Sequence, residues 1–203
     1  MSVGYRRAPE HRFPAALDDF AAALQWLAAH AGEVNGDGTR LAVAGDSAGG
    51  NLAAAVCLAA RDRGGPPIAS QLLIYPVTNH GFDTASYHQF ATGYGLTRDL
   101  MIWFWDQYLC GPADGRSASA SPLRAADLAA LPPALVITAA YDVLRDDGEA
   151  YAARLAQAGV PVRCTRYLRM NHGFINLAAV LADADRALDE AAEALRTVFE
   201  RPR

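Results

Sequence analysis

Short apolar runs alternate with longer stretches of helical periodicity along the chain. The runs have the length of strands in a buried parallel sheet, and they lie at 41–44, 71–75, 134–140 and 162–167. Helices are predicted around them, at about 14–30, 51–60, 98–109, 149–158 and 182–200. The last helix has its apolar stripe at Ala184, Leu188, Ala191, Leu195 and Val198. Strands that alternate with helices predict the α/β class, with a mostly parallel sheet and helices on both faces.

A Gly-Asp-Ser-Ala-Gly-Gly segment at 45–50 joins the strand at 41–44 to the helix that follows. A G-x-S-x-G sequence at a strand-to-helix junction is the nucleophile elbow of α/β-hydrolases. The sharp turn pushes the Ser47 hydroxyl outward, and we expect side chains at Gly45 or Gly49 to clash with the adjacent strand and helix. The alternative interpretation of the same residues is a glycine-rich turn or a phosphate-binding loop.

A serine nucleophile needs a histidine base and a carboxylate, which in this fold follow in the order Ser, Asp or Glu, His. Asp142 comes just after the strand at 134–140, and His172 lies in the loop after the strand at 162–167. Open α/β sheets place their chemistry at the carboxyl ends of the strands. The order and the placement therefore predict a catalytic triad of Ser47, Asp142 and His172.

Other acidic residues and histidines compete for two of these positions. Asp146 and Asp147 are assigned instead to the N-terminus of the following helix, which acidic side chains there stabilise. The tetrapeptide Asn-His-Gly-Phe occurs twice, around His80 and around His172, so the motif alone does not choose between them. His80 precedes the carboxylate, which is the wrong order, and we expect it to lie outside the triad.

Several segments in series resemble those of the hormone-sensitive-lipase-like esterases, the α/β-hydrolase fold-3 group. They are YRRAPEHRFPAA at 5–16, GDSAGGNLA at 45–53, SPL at 121–123, LPPA at 131–134, YDVLRDDG at 141–148 and MNHGF at 170–174. The resemblance covers essentially the whole chain and implies the α/β-hydrolase fold. It also implies a serine carboxylesterase that hydrolyses short-chain acyl esters, with Ser47, Asp142 and His172 as its catalytic residues.

The family's HGGG-type loop, which normally supplies most of the oxyanion hole, does not occur in the 203 residues. The resemblance thus implies an N-terminally truncated member that lacks the N-terminal cap and the first strands. Of the oxyanion-hole donors, only the N–H of Ala48 can be assigned. The missing third strand would lie between a strand at 3–5 and the strand at 41–44. We expect the exposed edge to be covered either by a shift of residues 3–5 or by a homodimer.

Length and composition predict a single α/β-hydrolase domain over 1–203. Hydrophobic residues make up 52% and charged residues 20% of the chain, which excludes a disordered protein. The formal net charge of −4 gives no reason to expect nucleic-acid binding.

The segment at 78–130 is too long for a simple crossover. Its helix at 98–109 is apolar on nearly every face, which fits plain core, whereas the resemblance implies a cap-like insertion over the acyl pocket.

Cys57, Cys110 and Cys164 are widely spaced and odd in number, so we interpret them as small buried hydrophobic residues in a reducing compartment. Because their spacing offers no cluster of ligands, no metal is expected, and the triad chemistry needs no cofactor. No leader or long apolar span is recognisable, which predicts a cytoplasmic protein that neither crosses nor binds a membrane.

Two functional hypotheses are left open by the sequence. The first is a serine carboxylesterase whose partner is a small-molecule acyl ester and whose rate is reduced by the missing HGGG loop. The alternative is a catalytically impaired fragment or assembly module of an α/β-hydrolase. Labelling of Ser47 by a fluorophosphonate distinguishes the two, because only an activated serine reacts.

Overall fold

A four-stranded parallel sheet forms the centre of the molecule in the computed structural model, which describes residues 1–200. The strands are β1 (Leu41–Asp46), β2 (Ile68–Ile74), β3 (Ala134–Tyr141) and β4 (Val162–Asn171). They follow one another in the order β1-β2-β3-β4, and every neighbouring pair is parallel. The carboxyl ends of all four strands therefore meet at one edge of the sheet.

Helices cover both faces of this sheet, as the sequence predicts. The helices are α1 (Ala15–His30), α2 (Ala48–Arg63), α3 (Ala85–Gln89), α4 (Arg98–Tyr108), α5 (Arg145–Gln157) and α6 (Ala182–Glu200). Leu73 and Val136 point to the face packed by α1, α2 and α5, whereas Leu72 and Leu135 point to the face packed by α6. This alternation follows from the two-residue period of side chains along a strand.

The chain between β2 and β3 forms α3, α4 and short 3₁₀ turns, with an apolar cluster of its own. Tyr87, Met101 and Trp105 are buried in that cluster and pack with Val143 and Leu144 from the segment that precedes α5. Thr97 is the N-cap of α4, and its side-chain oxygen accepts a hydrogen bond from Leu100 N–H at 3.1 Å. The cluster holds this segment over the carboxyl ends of the strands.

Residues 3–5 do not form the strand that the sequence analysis expects. The segment is irregular and lines a cleft beside β1, which is the edge strand of the sheet in the part of the chain that the structure describes. The cleft separates residues 3–5 from the free edge of β1, so their backbone groups do not join the sheet, and the expected shift onto this edge does not occur. Ala44 and Asp46 of β1 are exposed on this side.

The cysteines differ from the expectation that all three are buried. Cys57 lies in the core of α2, and its burial raises the pKa of the thiol. Cys110 and Cys164 are exposed. Cys110 follows the end of α4, and Cys164 lies on β4, the second edge strand, where only part of the surface is covered by helices.

Candidate active site

The turn from β1 into α2 places Ser47 in a strained conformation. Its φ of 53° and ψ of −117° fall in a region that residues with a side chain rarely occupy. Three hydrogen bonds fix the turn: Ser47 N–H donates to Ile74 O at 2.9 Å, and Ser47 O accepts from Asn51 N–H at 3.1 Å and Val77 N–H at 3.3 Å. The surrounding backbone thus holds the serine in place between two elements.

The glycines of the elbow have different reasons for lacking a side chain. A Cβ on Gly45 would lie 2.2 Å from the carbonyl carbon and oxygen of Gly49, so the predicted clash is confirmed at Gly45. The same expectation is wrong for Gly49, because a Cβ there would meet no atom within 4 Å. Gly50 is the second tight position, with Pro76 Cβ at 2.9 Å from the position of its missing side chain.

The structure brings the three predicted triad residues together. Ser47 Oγ lies 2.9 Å from His172 Nε2, and His172 Nδ1 lies 2.7 Å from Asp142 Oδ2. A carboxylate only accepts hydrogen bonds, so Nδ1 carries the proton and Nε2 is free to accept one from the serine. Asp142 is 1% exposed, and its Oδ1 accepts from Leu144 N–H at 3.0 Å, which fixes the carboxylate against the imidazole.

The rival residues lie elsewhere and have other contacts. The imidazole of His80 contacts the Trp105 ring at 5.1 Å between centroids, and the backbone N–H of His80 donates to Ser121 Oγ at 2.8 Å. Asp146 is in the first turn of α5 and accepts from Ser86 N–H at 2.7 Å. Asp147 is in the same turn but is buried, with one carboxylate oxygen that has no hydrogen-bond partner among the described residues.

Asp147 therefore departs from its expected role of stabilising the helix N-terminus. Burial, followed by the charge of Asp146, raises the pKa of its carboxyl to about 7. A carboxylate stabilised by a helix dipole would show the opposite shift. At this position desolvation is the largest cause of the shift in the pKa.

Ala48 follows Ser47 and is the first residue of α2. Its N–H is one of the four amides at a helix start that have no intrahelical acceptor. These amides carry partial positive charge, so they stabilise an anion that lies at the N-terminal end of the helix. Ala48 thus stands where the sequence analysis expects an oxyanion-hole donor.

Two clefts share Tyr5, Ser47, Ala48 and Leu52 in their walls. The larger, of about 640 Å³, also contains His172 and is lined mainly by apolar side chains. Its α4 wall consists of Leu100, Met101, Phe104, Trp105 and Tyr108. The other cleft, of about 480 Å³, lies along β1. Trp103, the remaining aromatic of α4, is 53% exposed and lies outside both walls.

Two contributors to this site were not singled out by the sequence analysis. Asn51 is buried in α2, and its Nδ2 donates to Val77 O at 2.9 Å and to Ala120 O at 2.8 Å, which ties the 78–130 segment to the elbow. Tyr75 is buried against His172, with 4.5 Å between the ring centroids. The position of Asn51 just after the elbow only weakly indicates a role in holding it. Nothing in the sequence around Tyr75 indicates that its ring contacts His172.

The structure offers no preformed cation site in the part of the chain that it describes. Within residues 1–200, no group of three or more His, Cys, Asp or Glu side chains is arranged to hold a metal ion. Each helix in the same residues is too short or too polar to span a membrane.

The amino-acid sequence is similar to those of known ester hydrolases. A carboxylesterase of Mycobacterium tuberculosis, NlhH, is 44% identical over 200 residues, which are 97% of this chain and 62% of that protein. An ethyl acetate hydrolase of Pseudomonas putida is 38% identical over 199 residues, again 97% of this chain and 62% of that protein. The chain thus spans less than two thirds of the length of these relatives.

Solved structures agree with this fold. A thermostable esterase from Pseudomonas putida superposes with a TM-score of 0.95 at 46% identity, covering 98% of this chain and 63% of that one. The thermophilic carboxylesterase EstE1 from a metagenomic library gives a TM-score of 0.94 at 46% identity, over 97% of this chain and 68% of that one. A family model described as the alpha/beta hydrolase fold matches residues 1–176. The chain belongs to the alpha/beta hydrolase fold family, as the resemblance of its motifs to esterases of that fold indicated.

Proposed function

We propose that the chain is a serine carboxylesterase in which Ser47 is the nucleophile, His172 the general base and Asp142 the residue that orients the histidine. The observation that carries this proposal is the continuous line of hydrogen bonds, with 2.9 Å between Ser47 Oγ and His172 Nε2 and 2.7 Å between His172 Nδ1 and Asp142 Oδ2. Esterases and carboxylesterases among the relatives support the same reaction class.

Hydrolysis would proceed in two halves. Ser47 Oγ attacks the acyl carbonyl carbon while its proton passes to His172 Nε2, and the negative carbonyl oxygen of the intermediate faces Ala48 N–H. His172 then gives the proton to the departing alcohol oxygen, which leaves an acyl-serine. In the second half a water molecule loses its proton to His172 and attacks that ester. Collapse of the intermediate returns the proton to Ser47 and releases the carboxylic acid.

The larger cleft supports small acyl esters as the substrate class. Its apolar α4 wall would bury a short hydrocarbon chain, and two of its polar groups, Ser47 and His172, lie together where the carbonyl carbon must sit. In this proposal the 78–130 segment acts as a cap-like insertion, since α4 supplies that wall. No cofactor or metal takes part. A cytoplasmic location stays a prediction from the sequence.

Substitution of the triad residues tests the proposal. Ser47→Ala and His172→Ala are expected to lower the hydrolysis of p-nitrophenyl butyrate by about 10³-fold or more. His80→Ala is the matched control, because that histidine occurs in the same tetrapeptide but its ring packs on Trp105 and does not contact Ser47. Loss of activity in the His80 variant with retention in the His172 variant would refute the assignment.

The alternative function is an impaired hydrolase that serves as an assembly module, and one observation favours it. β1 leaves an exposed strand edge at Ala44, on which a second copy of the chain could pair to form a homodimer. A fluorophosphonate probe separates the two hypotheses. Covalent labelling that disappears in Ser47→Ala supports the esterase, whereas an unlabelled chain that dimerises supports the assembly module.

A further inference from the structure

Tyr75 occupies a position where the backbone itself is strained. It follows the last residue of β2 and precedes Pro76, and its φ of 34° lies in the left-handed region that residues with a side chain avoid. The strained residue is nevertheless held firmly, since its N–H donates to Ile137 O at 2.6 Å and its side chain is buried. Strain of this kind persists where the surrounding structure enforces it, often beside a functional site.

The ring of Tyr75 lies against the imidazole of His172. Their centroids are 4.5 Å apart and their planes are inclined by 55°. Phe174 packs on the Tyr75 ring at 5.8 Å and Tyr167 on Phe174 at 5.3 Å, so the loop that carries the histidine rests on a row of aromatic rings. Tyr75 is the member of this row that touches the proposed general base.

The hydroxyl of Tyr75 connects that loop to the nucleophile turn. Tyr75 Oη donates to Asp46 Oδ2 at 3.3 Å, and Asp46 is the residue that directly precedes Ser47. Burial, followed by the charge of Asp46, raises the pKa of the phenol, while the backbone N–H of Ile175 beside the hydroxyl acts in the opposite direction. The phenol therefore keeps its proton and remains a donor to Asp46.

We propose that Tyr75 is a positioning residue for His172, held in place by its hydrogen bond to Asp46. The two hydrogen bonds of His172, to Ser47 and Asp142, leave from nitrogens on opposite sides of the imidazole and so leave the ring free to rock about the line between them. A buried ring against one face removes that freedom. Nε2 then stays directed at both the serine oxygen and the leaving oxygen. This inference rests on the proposed esterase function.

Graded substitutions at Tyr75 test the idea by kinetics. Tyr75→Phe keeps the ring and loses the hydroxyl, and we expect kcat on p-nitrophenyl butyrate to fall about 2–10-fold, the range of one ordinary hydrogen bond, with KM nearly unchanged. Tyr75→Leu also loses the flat ring, and kcat is expected to fall about 10²-fold, as misplacement of a catalytic group does. A merely structural role would instead change KM and thermal stability together with kcat.

Variants of the acceptor and a distant tyrosine sharpen this test. Asp46→Ala should reproduce the loss of Tyr75→Phe, the double variant should be no worse than either, and Asp46→Asn, which keeps an acceptor oxygen, should recover part of the loss. Tyr87→Phe is the matched control, because this tyrosine is equally buried but packs in the cluster around α4. Wild-type kcat in Tyr75→Phe, or an equal loss in Tyr87→Phe, would overturn the proposal.

A measurement without substrate distinguishes failure of this inference from failure of the proposed function. The Nδ1 proton of His172, bonded to Asp142 Oδ2 at 2.7 Å, should give a downfield proton resonance in NMR spectra of the free chain. We expect a sharp signal in the wild type and a broadened or exchanged one in Tyr75→Leu. An unchanged signal in Tyr75→Leu refutes the positioning role, whereas an inactive wild type with the expected spectral change refutes only the esterase function.

Discussion

Two adjacent carboxylates at the start of α5 have opposite environments. Burial raises the pKa of Asp146, but the hydrogen bonds from Arg145 and from Ser86 N–H outweigh it and leave the pKa below its usual value. Asp147 is 1% exposed, and its Oδ2 has no partner among the described residues. Burial and the charge of Asp146 raise its pKa to about 7. Neighbours in sequence thus differ because one side chain points to donors and the other into the interior.

This contrast predicts a pH-dependent effect of Asp147→Asn on stability. A raised folded-state pKa means that the protonated form favours folding, so the contribution of Asp147 is complete below about pH 4 and is lost as the pH rises through about 7. Asp147→Asn keeps a neutral side chain at every pH. It should raise the free energy of unfolding at pH 8 by roughly 1–4 kcal/mol and have little effect at pH 4, as measured by urea denaturation.

Asp146→Asn is the matched control with the opposite sign. Its lowered pKa means that the ionised form stabilises the fold, and this contribution is present near neutral pH and is lost as the pH falls through the folded-state value. The variant should therefore be less stable than wild type at pH 8, with the difference shrinking in acid. Stabilisation by both substitutions at pH 8 would show that the two environments are alike, contrary to this expectation.

At the scale of elements, the elbow depends on how closely β1 approaches the start of α2. Gly45→Ala would place a methyl group 2.2 Å from backbone atoms of Gly49, which cannot move without opening the helix. We expect a loss of about 2 kcal/mol or more in the free energy of unfolding, with loss of esterase activity. Gly49→Ala meets no atom within 4 Å, and alanine is favoured over glycine in a helix by about 0.5–1 kcal/mol.

Thermal unfolding of the two glycine variants checks this prediction. The melting temperature of Gly45→Ala should fall well below that of wild type, and that of Gly49→Ala should equal or exceed it. Both substitutions add the same methyl group within one motif. If the motif tolerated no substitution at all, the melting temperatures of both variants would fall. Equal losses would mean that the space beside Gly49 is closed to a methyl group.

The periodic elements could be predicted from the sequence, because strand and helix signals are local. Their ends were less well determined: α2 begins at Ala48 rather than at 51, and α5 at Arg145 rather than at 149. Glycines at 49, 50 and 148 have low helix propensity, which hides these starts, and at 50 and 148 close packing on Pro76 leaves little room for a side chain. In α6, Leu188 of the predicted stripe is 42% exposed, and the smaller Ala187 is buried instead.

The candidate triad was accessible from sequence for a similar reason. Each of its residues follows a predictable strand, and chain order selects His172 over His80. The contact of Tyr75 with His172 and the burial of Asp147 could not be predicted in this way. They depend on how two loops and two helices approach in space, and no pattern within either segment encodes that approach.

For the whole molecule, the open edge of β1 has a consequence for assembly. Ala44 is exposed on this strand, and exposed apolar edges favour pairing with another chain. We expect concentration-dependent dimer formation in sedimentation velocity, weakened by Ala44→Lys, which places a charge on the edge. Ala192→Lys, at an exposed position of α6, controls for the added charge. A monomer at every concentration, with strong amide-exchange protection of Val43 and Ala44, would exclude this assembly.

The rate expected of the proposed esterase also depends on the molecule as a whole. Within residues 1–200, Ala48 N–H is the one oxyanion donor that can be assigned, and removal of a single donor from an oxyanion hole typically costs about 10²–10³-fold in turnover. The triad and the apolar cleft would still activate and position the serine. We therefore expect turnover of p-nitrophenyl butyrate about 10²–10³-fold below that of the Mycobacterium tuberculosis carboxylesterase under the same conditions. The deficit should be larger for ethyl butyrate, because a poor leaving group builds more charge on the oxygen that a second donor would stabilise. Equal turnover of the two proteins would mean that another group, such as an amide near Gly4, already completes the hole.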